Sequence, residues 1–373
     1  MEKYLVVAPG YPSNDNIYNN AFVHSRVKQY KERNMDVIVF SIDKKNMDDY
    51  EYEGVKVICG NYDKLTELLK NNTFSKILIH FGFKKAIQTI VKSSPNSKLL
   101  IWVHGVEALA WYRRLFSFNV KKPHRFLGYI FLNTRQLLFM NRFIRNNKID
   151  KTFIFVSEWM KNILECDSFS KNKIKNYVII PNVVDDKLFN YVEKNENDRL
   201  KILSIRPYAS KKYANDISVN AVIELSKKPF FKDLTFSFYG DGKLFESTLK
   251  PIMDFDNVKI NKRFLSHQEI SNIHKENGIM LIPTRQDAQG VSMCEAMSSG
   301  LVPLTSNNTA IPEYVCEDCG YLTNNHYELA AAIEELYHDS NKFLNMSKRT
   351  SEFIQKLCSP EVVIKKEIDL ILK

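Results

Sequence analysis

The sequence predicts an α/β protein of two domains, each built around a mostly parallel sheet. Three observations carry this. Short β-branched or apolar runs alternate with longer amphipathic segments, the alternation pauses at a polar stretch and then restarts, and 373 residues exceed what one hydrophobic core usually organises. In the first half the strand-like runs fall at residues 4–8, 37–42, 55–59, 77–80, 99–104, 152–157 and 178–181. A charged stretch at 185–199 follows, with its most linker-like composition at 193–198. The rhythm then resumes at 200–205, 234–239, 258–260, 279–283 and 301–305. The chain end, 360–373, opens on a helix-compatible proline and carries Val362, Val363, Ile368, Leu370 and Ile371, which predicts a terminal helix. The expected domains are therefore 1–184 and 185–358, with 359–373 as a helix returning to the first.

Composition narrows the class. Apolar residues make up 44% of the chain, ample for two cores, and a net charge of +10 favours anionic partners such as phosphates, anionic lipid or nucleic acid. The first dozen residues lack the length and small-residue cleavage site of a signal peptide and read as a strand. No run approaches the ~18 apolar residues of a membrane-spanning helix, so the expected location is cytoplasmic, with peripheral attachment to the inner face of the cell membrane. The cysteines at 59, 166, 294, 316, 319 and 358 fit a reducing compartment. Cys316 and Cys319 are close, but they lack the further ligands of a zinc site and read as ordinary loop thiols.

Chemistry concentrates where strands end, because ligands of doubly wound sheets bind beyond the carboxyl ends of strands, against loops and helix N-termini. The most informative run is Pro283-Thr284-Arg285-Gln286-Asp287-Ala288-Gln289-Gly290-Val291-Ser292-Met293-Cys294-Glu295-Ala296-Met297. It reads as a strand end, a loop and a helix, with Gly290 permitting close backbone approach and the helix start offering N–H groups to a phosphate. Directly after the first strand of the second half stands Ser204-Ile205-Arg206-Pro207-Tyr208-Ala209-Ser210-Lys211-Lys212. Its guanidinium suits forked hydrogen bonds to phosphate, and a lysine adds a point charge. In the first half Trp102-Val103-His104-Gly105-Val106-Glu107 ends a strand on a histidine, a group able to exchange a proton near neutral pH. His80 also ends a strand and reads as a structural hydrogen-bonder. Tyr239-Gly240-Asp241-Gly242 closes another strand but lacks the Gly-x-Gly-x-x-Gly pattern of dinucleotide oxidoreductases.

Together these runs resemble glycosyltransferase family 4, the group 1 transferases of GT-B fold. That family carries two acids separated by seven residues, matched by Asp287 and Glu295, although it usually has glutamate at the first. Further matches are Val156-Ser157 before a helix and Ile180-Pro181-Asn182-Val183-Val184-Asp185, where Val183 replaces a usual glycine. The resemblance implies two Rossmann-like domains facing across a cleft, the first for the acceptor and the second for the donor. It also implies a retaining, metal-independent hexosyltransferase with no cofactor, using a nucleotide-diphosphate sugar, UDP ahead of GDP. The implied acceptor is a growing cell-surface polysaccharide, lipopolysaccharide or lipid-linked glycan.

By the same resemblance Glu295 binds the donor ribose, Asp287 the donor sugar, and the backbone of Gln289, Gly290, Val291 and Ser292 cradles phosphate. Arg206 and a lysine clamp the diphosphate, Lys211 fitting the family spacing best with Lys212 as rival. His104 approaches the reacting sugar, and the loop holding Gly10 and Asn16 takes the position of the family's glycine-rich acceptor loop, with polar residues in place of most glycines. Between Trp111 and Lys148 no acid accompanies Arg113, Arg114, Lys121, Lys122, Arg125, Arg135, Arg142, Arg145 and Lys148, a pattern suited to an anionic membrane surface or lipid diphosphate. On a helical projection Phe126, Ile130, Leu137 and Ile144 share one face, with Arg135 and Arg142 opposite, which equally fits a helix packed on its domain. Two rival readings are a related epimerase or phosphorylase, and a non-enzymatic basic membrane- or nucleic-acid-binding protein. The aromatics form no recognised nucleic-acid module, so no specific nucleic-acid partner is expected.

Overall fold

The computed structural model describes all residues except 1, 18, 44–47 and 119–122, together with the side chain of Ser117. Lys121 and Lys122 of the basic segment lie outside the described residues. The chain divides into two compact units, residues 1–183 with 360–373, and residues 184–359.

The first unit runs β1 (Lys3–Ala8), α1 (Ala21–Glu32), β2 (Asp36–Ile42), β3 (Tyr50–Tyr52), β4 (Val55–Gly60), α2 (Tyr62–Asn71), β5 (Lys76–His80), α3 (Lys84–Ser93), β6 (Lys98–Val103), α4 (Pro123–Arg145), β7 (Lys151–Phe155), α5 (Glu158–Asp167) and β8 (Tyr177–Ile179). The sheet order is β3-β4-β2-β1-β5-β6-β7-β8, parallel except where β3 meets β4. Residues Tyr4 to Ala8 of β1 are all buried, as expected of a strand covered on both faces. Side chains set the helix starts: Asn61 accepts from the N–H groups of Asp63 and Lys64 to cap α2, and Ser157 caps α5 through Met160. The chain leaves β1 to one side for β2 and to the other for β5, which puts the topological switch beside the loop after β1.

The second unit runs β9 (Lys201–Ile205), α6 (Asn215–Leu225), β10 (Thr235–Gly240), α7 (Phe245–Leu249), β11 (Val258–Lys262), α8 (His267–Glu276), β12 (Ile279–Leu281), α9 (Val291–Ser298), β13 (Val302–Ser306), β14 (Tyr321–Thr323), α10 (His326–His338) and α11 (Ser340–Cys358). Its order, β11-β10-β9-β12-β13-β14, places the switch between β9 and β12, so ligand-facing residues are expected after those two strands. The final helix, α12 (Pro360–Leu372), belongs to the first unit and packs on α1. There Glu367, fully buried, accepts from Arg26 Nε at 2.8 Å, Tyr30 Oη at 2.5 Å and Trp102 Nε1 at 3.2 Å.

Three expectations are corrected. The polar run 193–198 is not a loose linker: Asn195 and Asp198 form a capping box, the Lys194 ammonium donates to the His274 carbonyl at 2.7 Å, and Asp198 is buried. Charge marks hydrogen-bonding capacity there rather than freedom. The three-residue strands β3 and β14 escape a periodicity reading because polar residues or glycine bound each on both sides, whereas the equally short β8 and β12 sit in longer apolar runs. Cys316 and Cys319 are joined as a disulfide, with Cα atoms 5.0 Å apart, instead of standing as separate thiols.

Candidate donor site

In the second unit the loop after β9 meets the loop after β12. Arg206, the first residue beyond β9, is 4% exposed. Its Nη1 donates to Ser292 Oγ at 3.3 Å and its guanidinium lies 4.9 Å over the Tyr213 ring. Nε and Nη2 are buried and, among the described residues, have no hydrogen-bond partner. Burial lowers the guanidinium pKa and nearby Asp287 opposes that shift. A buried cation with unmet donors is costly unless an anion completes it.

Two glycines hold the arginine loop. Arg206 and Tyr208 donate their backbone N–H groups to Tyr239 and Asp241 carbonyls, at 3.0 and 2.9 Å. A Cβ on Gly240 would come within 2.0 Å of the Arg206 carbonyl oxygen, and one on Gly242 within 2.4 Å of the Tyr208 carbonyl carbon. Both have positive φ, so the run Tyr239-Gly240-Asp241-Gly242 works as a spacer for the neighbouring loop.

The rival lysines separate. Lys212 lies 5.6 Å over the same Tyr213 ring that Arg206 covers. Lys211 is exposed, and its carbonyl accepts Arg285 Nη1 at 2.7 Å. Arg285 in turn grips Asp216 with two bonds of 2.8 and 2.6 Å, which pins the 211–212 turn to the strand end after β12. The structure thus groups Arg206, Lys212, Tyr213 and Ser292, and leaves the Lys211 side chain outside that group.

Asp287 is half-buried and its Oδ1 accepts backbone N–H groups from Ala288 at 3.0 Å and Gly290 at 3.1 Å, with Gln289 at 3.5 Å. The carboxylate therefore organises its own loop, a task its short side chain suits better than glutamate. Gln289 turns its side-chain Nε2 toward the sulfurs of Cys294 and Cys358. Gly290, at φ 84, is the N-cap of α9, and no side chain caps the helix's first turn, where Val291 and Ser292 stand. Three residues beyond Ser292, Glu295 is half-buried. Among the described residues its carboxylate has no hydrogen-bond partner, and burial, with a smaller push from Asp185, raises its pKa to about 8.

In the first unit His104 follows β6. Its backbone N–H and that of Gly105 donate to the Glu107 carboxylate at 2.7 and 3.0 Å, so this buried acid shapes the turn and faces the backbone. Burial raises the Glu107 pKa to about 7, against the lowering by those N–H groups. The His104 ring packs against Phe22 and Phe81, and its Nε2 is 3.1 Å from Nδ1 of His80, whose own ring stacks on Trp102. Burial holds both imidazoles well below their ordinary pKa, which favours their uncharged, hydrogen-bonding form. His80, read from sequence as bland, is its direct partner, and the signal for it was the end of β5, in register beside Trp102. Gly10 is buried at φ 97 with Asn19 against it, while Asn16 is exposed and exchanges backbone bonds with Ser13. Among the described residues no three His, Cys, Asp or Glu side chains gather as a metal cage.

Two mostly parallel Rossmann-like sheets, one in each unit, are the arrangement of the GT-B architecture. Over its full length the chain is similar to sucrose-phosphate synthase from Thermosynechococcus elongatus, with a TM-score of 0.75, 15% identity and coverage of 100% of this chain and 98% of that one. It is also similar to the pneumococcal O-GlcNAc transferase GtfA, solved with UDP and GlcNAc, with a TM-score of 0.69, 13% identity and coverage of 99% and 98%. Residues 200–339 match the family of group 1 glycosyl transferases. A stretch of 109 residues is 28% identical to the UDP-N-acetylglucosamine–peptide N-acetylglucosaminyltransferase GtfA subunit of Streptococcus agalactiae. The match takes in 29% of this chain and 21% of that protein, so the chain spans about a fifth of this relative's length.

Proposed function

We propose that the protein is a retaining glycosyltransferase that moves a sugar from a nucleotide-diphosphate donor, with UDP as the nucleotide, to a hydroxyl of a glycan or lipid-linked acceptor. The observation that carries this is the buried Arg206 guanidinium, with two unpartnered nitrogens at the β9–β12 switch beside the uncapped start of α9. A diphosphate supplies the charge and the acceptors this arrangement lacks. The UDP and GlcNAc bound by the pneumococcal relative support the choice of nucleotide.

In this reading Arg206, Lys212 and the α9 N–H groups stabilise the departing diphosphate, and Glu295 accepts from the ribose hydroxyls. Asp287 keeps the Gly290 loop in shape. The acceptor oxygen bonds to the anomeric carbon as the bond to phosphate breaks, and the acceptor proton passes to the leaving phosphate. His104 of the first unit serves as a neutral hydrogen-bond partner for a substrate hydroxyl. Cationic side chains do the work a divalent ion does elsewhere, so a chelator is expected to leave turnover unchanged.

The test is turnover of UDP-glucose, UDP-N-acetylglucosamine and GDP-mannose with simple glycan acceptors, the anomeric configuration of the product being read by NMR. One UDP-sugar giving product of unchanged configuration supports the proposal. Inverted product removes the retaining mechanism, and a GDP-sugar alone turned over removes the choice of UDP.

A further inference from the structure

The face of the first unit formed by α3 and α4 is cationic and apolar at once. Gln136 fastens α4 to the start of α3, accepting from the Lys84 N–H and donating to the Gly82 carbonyl, both at 2.9 Å. Beyond that clamp the two helices enclose a groove of about 710 Å3. Its floor includes Ile87, Val91 and Phe143, and its rim carries Lys84, Lys92, Arg135 and Arg142. From residue 81 to residue 149 the sequence holds one acid, Glu107, and that side chain is fully buried. Nothing in this stretch offsets the cations at the surface.

The outer face of α4 is not the plain basic face that the helical projection suggested. The inward face is as expected, with Leu137 and Ile144 buried. Outward, Leu127 is 65% exposed, Phe131 60% and Leu138 48%. At 100° per residue these three fall within about 40° of one another and form one stripe. Arg135 and Arg142 flank it, with the Arg135 guanidinium 5.4 Å over the Phe131 ring. Among the described residues no helix is long and apolar enough to cross a membrane.

We propose that this face docks on an anionic phospholipid bilayer, with α4 lying in the headgroup plane. The leucines and Phe131 enter the acyl boundary while the groove cations bind lipid phosphates. Charge complementarity selects an anionic partner, and the exposed aliphatic stripe selects a bilayer over a soluble polyanion, which gains nothing from leucine. The inference does not depend on the donor-site reading, since docking needs no nucleotide.

The experiment is flotation of the full chain with vesicles of phosphatidylcholine alone, and with about 30% phosphatidylglycerol, a negative surface of the kind basic segments bind. Binding about tenfold tighter to the anionic vesicles is expected. A Leu127→Ser, Phe131→Ser, Leu138→Ser variant and an Arg135→Ser, Arg142→Ser variant should each lose most of that binding while keeping the wild-type melting temperature and UDP affinity. Equal binding to both vesicle types, or none to either, overturns the proposal without any variant. If the apolar variant binds as well as wild type and an oligonucleotide competes, the face is a polyanion site instead.

Discussion

Arg206 is the residue on which the account turns, and its energetics make a test. The guanidinium is buried with one side-chain hydrogen bond, a ring contact and no paired carboxylate, so the ligand-free fold bears its desolvation. Arg206→Met is expected to melt no lower than wild type, yet to weaken diphosphate binding roughly tenfold to a hundredfold, the worth of one or two charged hydrogen bonds. Thermal melts with and without UDP check both halves. Glu295 gives a pH signature. Its folded pKa, about 8, stands above its value of about 4.5 when exposed, so the folded chain keeps a proton that the unfolded chain has lost between those values. Its contribution to stability is complete below pH 4.5 and declines as pH rises toward 8, by up to about 1.4 kcal/mol per unit. Denaturant midpoints should show that decline in wild type and a flatter profile in Glu295→Gln; an equal slope in both removes the assignment. Both residues were legible in the sequence because one ends a strand and the other stands in a spaced motif. Tyr213 was not, since only the folded turn brings its ring beneath Arg206 and Lys212.

At the scale of elements, the alternation of apolar runs revealed twelve of the fourteen strands among the described residues, and the two it missed, β3 and β14, are bounded on both sides by polar residues or glycine. Strand ends were overrun where a buried apolar residue continues the pattern after the ladder stops: β12 ends at Leu281 although Ile282 is also buried. What a linear reading cannot supply is which loop supports which. The pair Gly240 and Gly242 looked like a weak dinucleotide signal, and their function is visible only against the Arg206 loop. Gly240→Ala sets a Cβ against backbone that cannot move aside. It is expected to cost more than about 2 kcal/mol, in the range of strained backbone and overpacked sites, and to reduce nucleotide affinity through displacement of Arg206. Chemical denaturation and a UDP titration of the same variant measure the two effects. Unchanged stability would show that the turn has room the geometry denies.

At the scale of the molecule, the last helix is tied to the first unit by a contact that crosses 341 positions of sequence. The terminal helix was legible from its apolar pattern, whereas the buried Arg26–Glu367 pair was not, because nothing local marks a partner so distant. Glu367→Ala leaves Arg26 buried without its counter-charge and Tyr30 and Trp102 without their acceptor, so a loss of about 3–5 kcal/mol is expected in equilibrium unfolding. A loss below about 1 kcal/mol, the value of a surface pair, would mean that α12 is not held as described. Whether the second unit binds a nucleotide diphosphate through Arg206 is decided by calorimetric titration of the wild-type protein and Arg206→Met with UDP, GDP and ADP. Selective binding of UDP by wild type, lost in the variant, is the predicted result; no binding of any nucleotide, or equal binding by the variant, would contradict it.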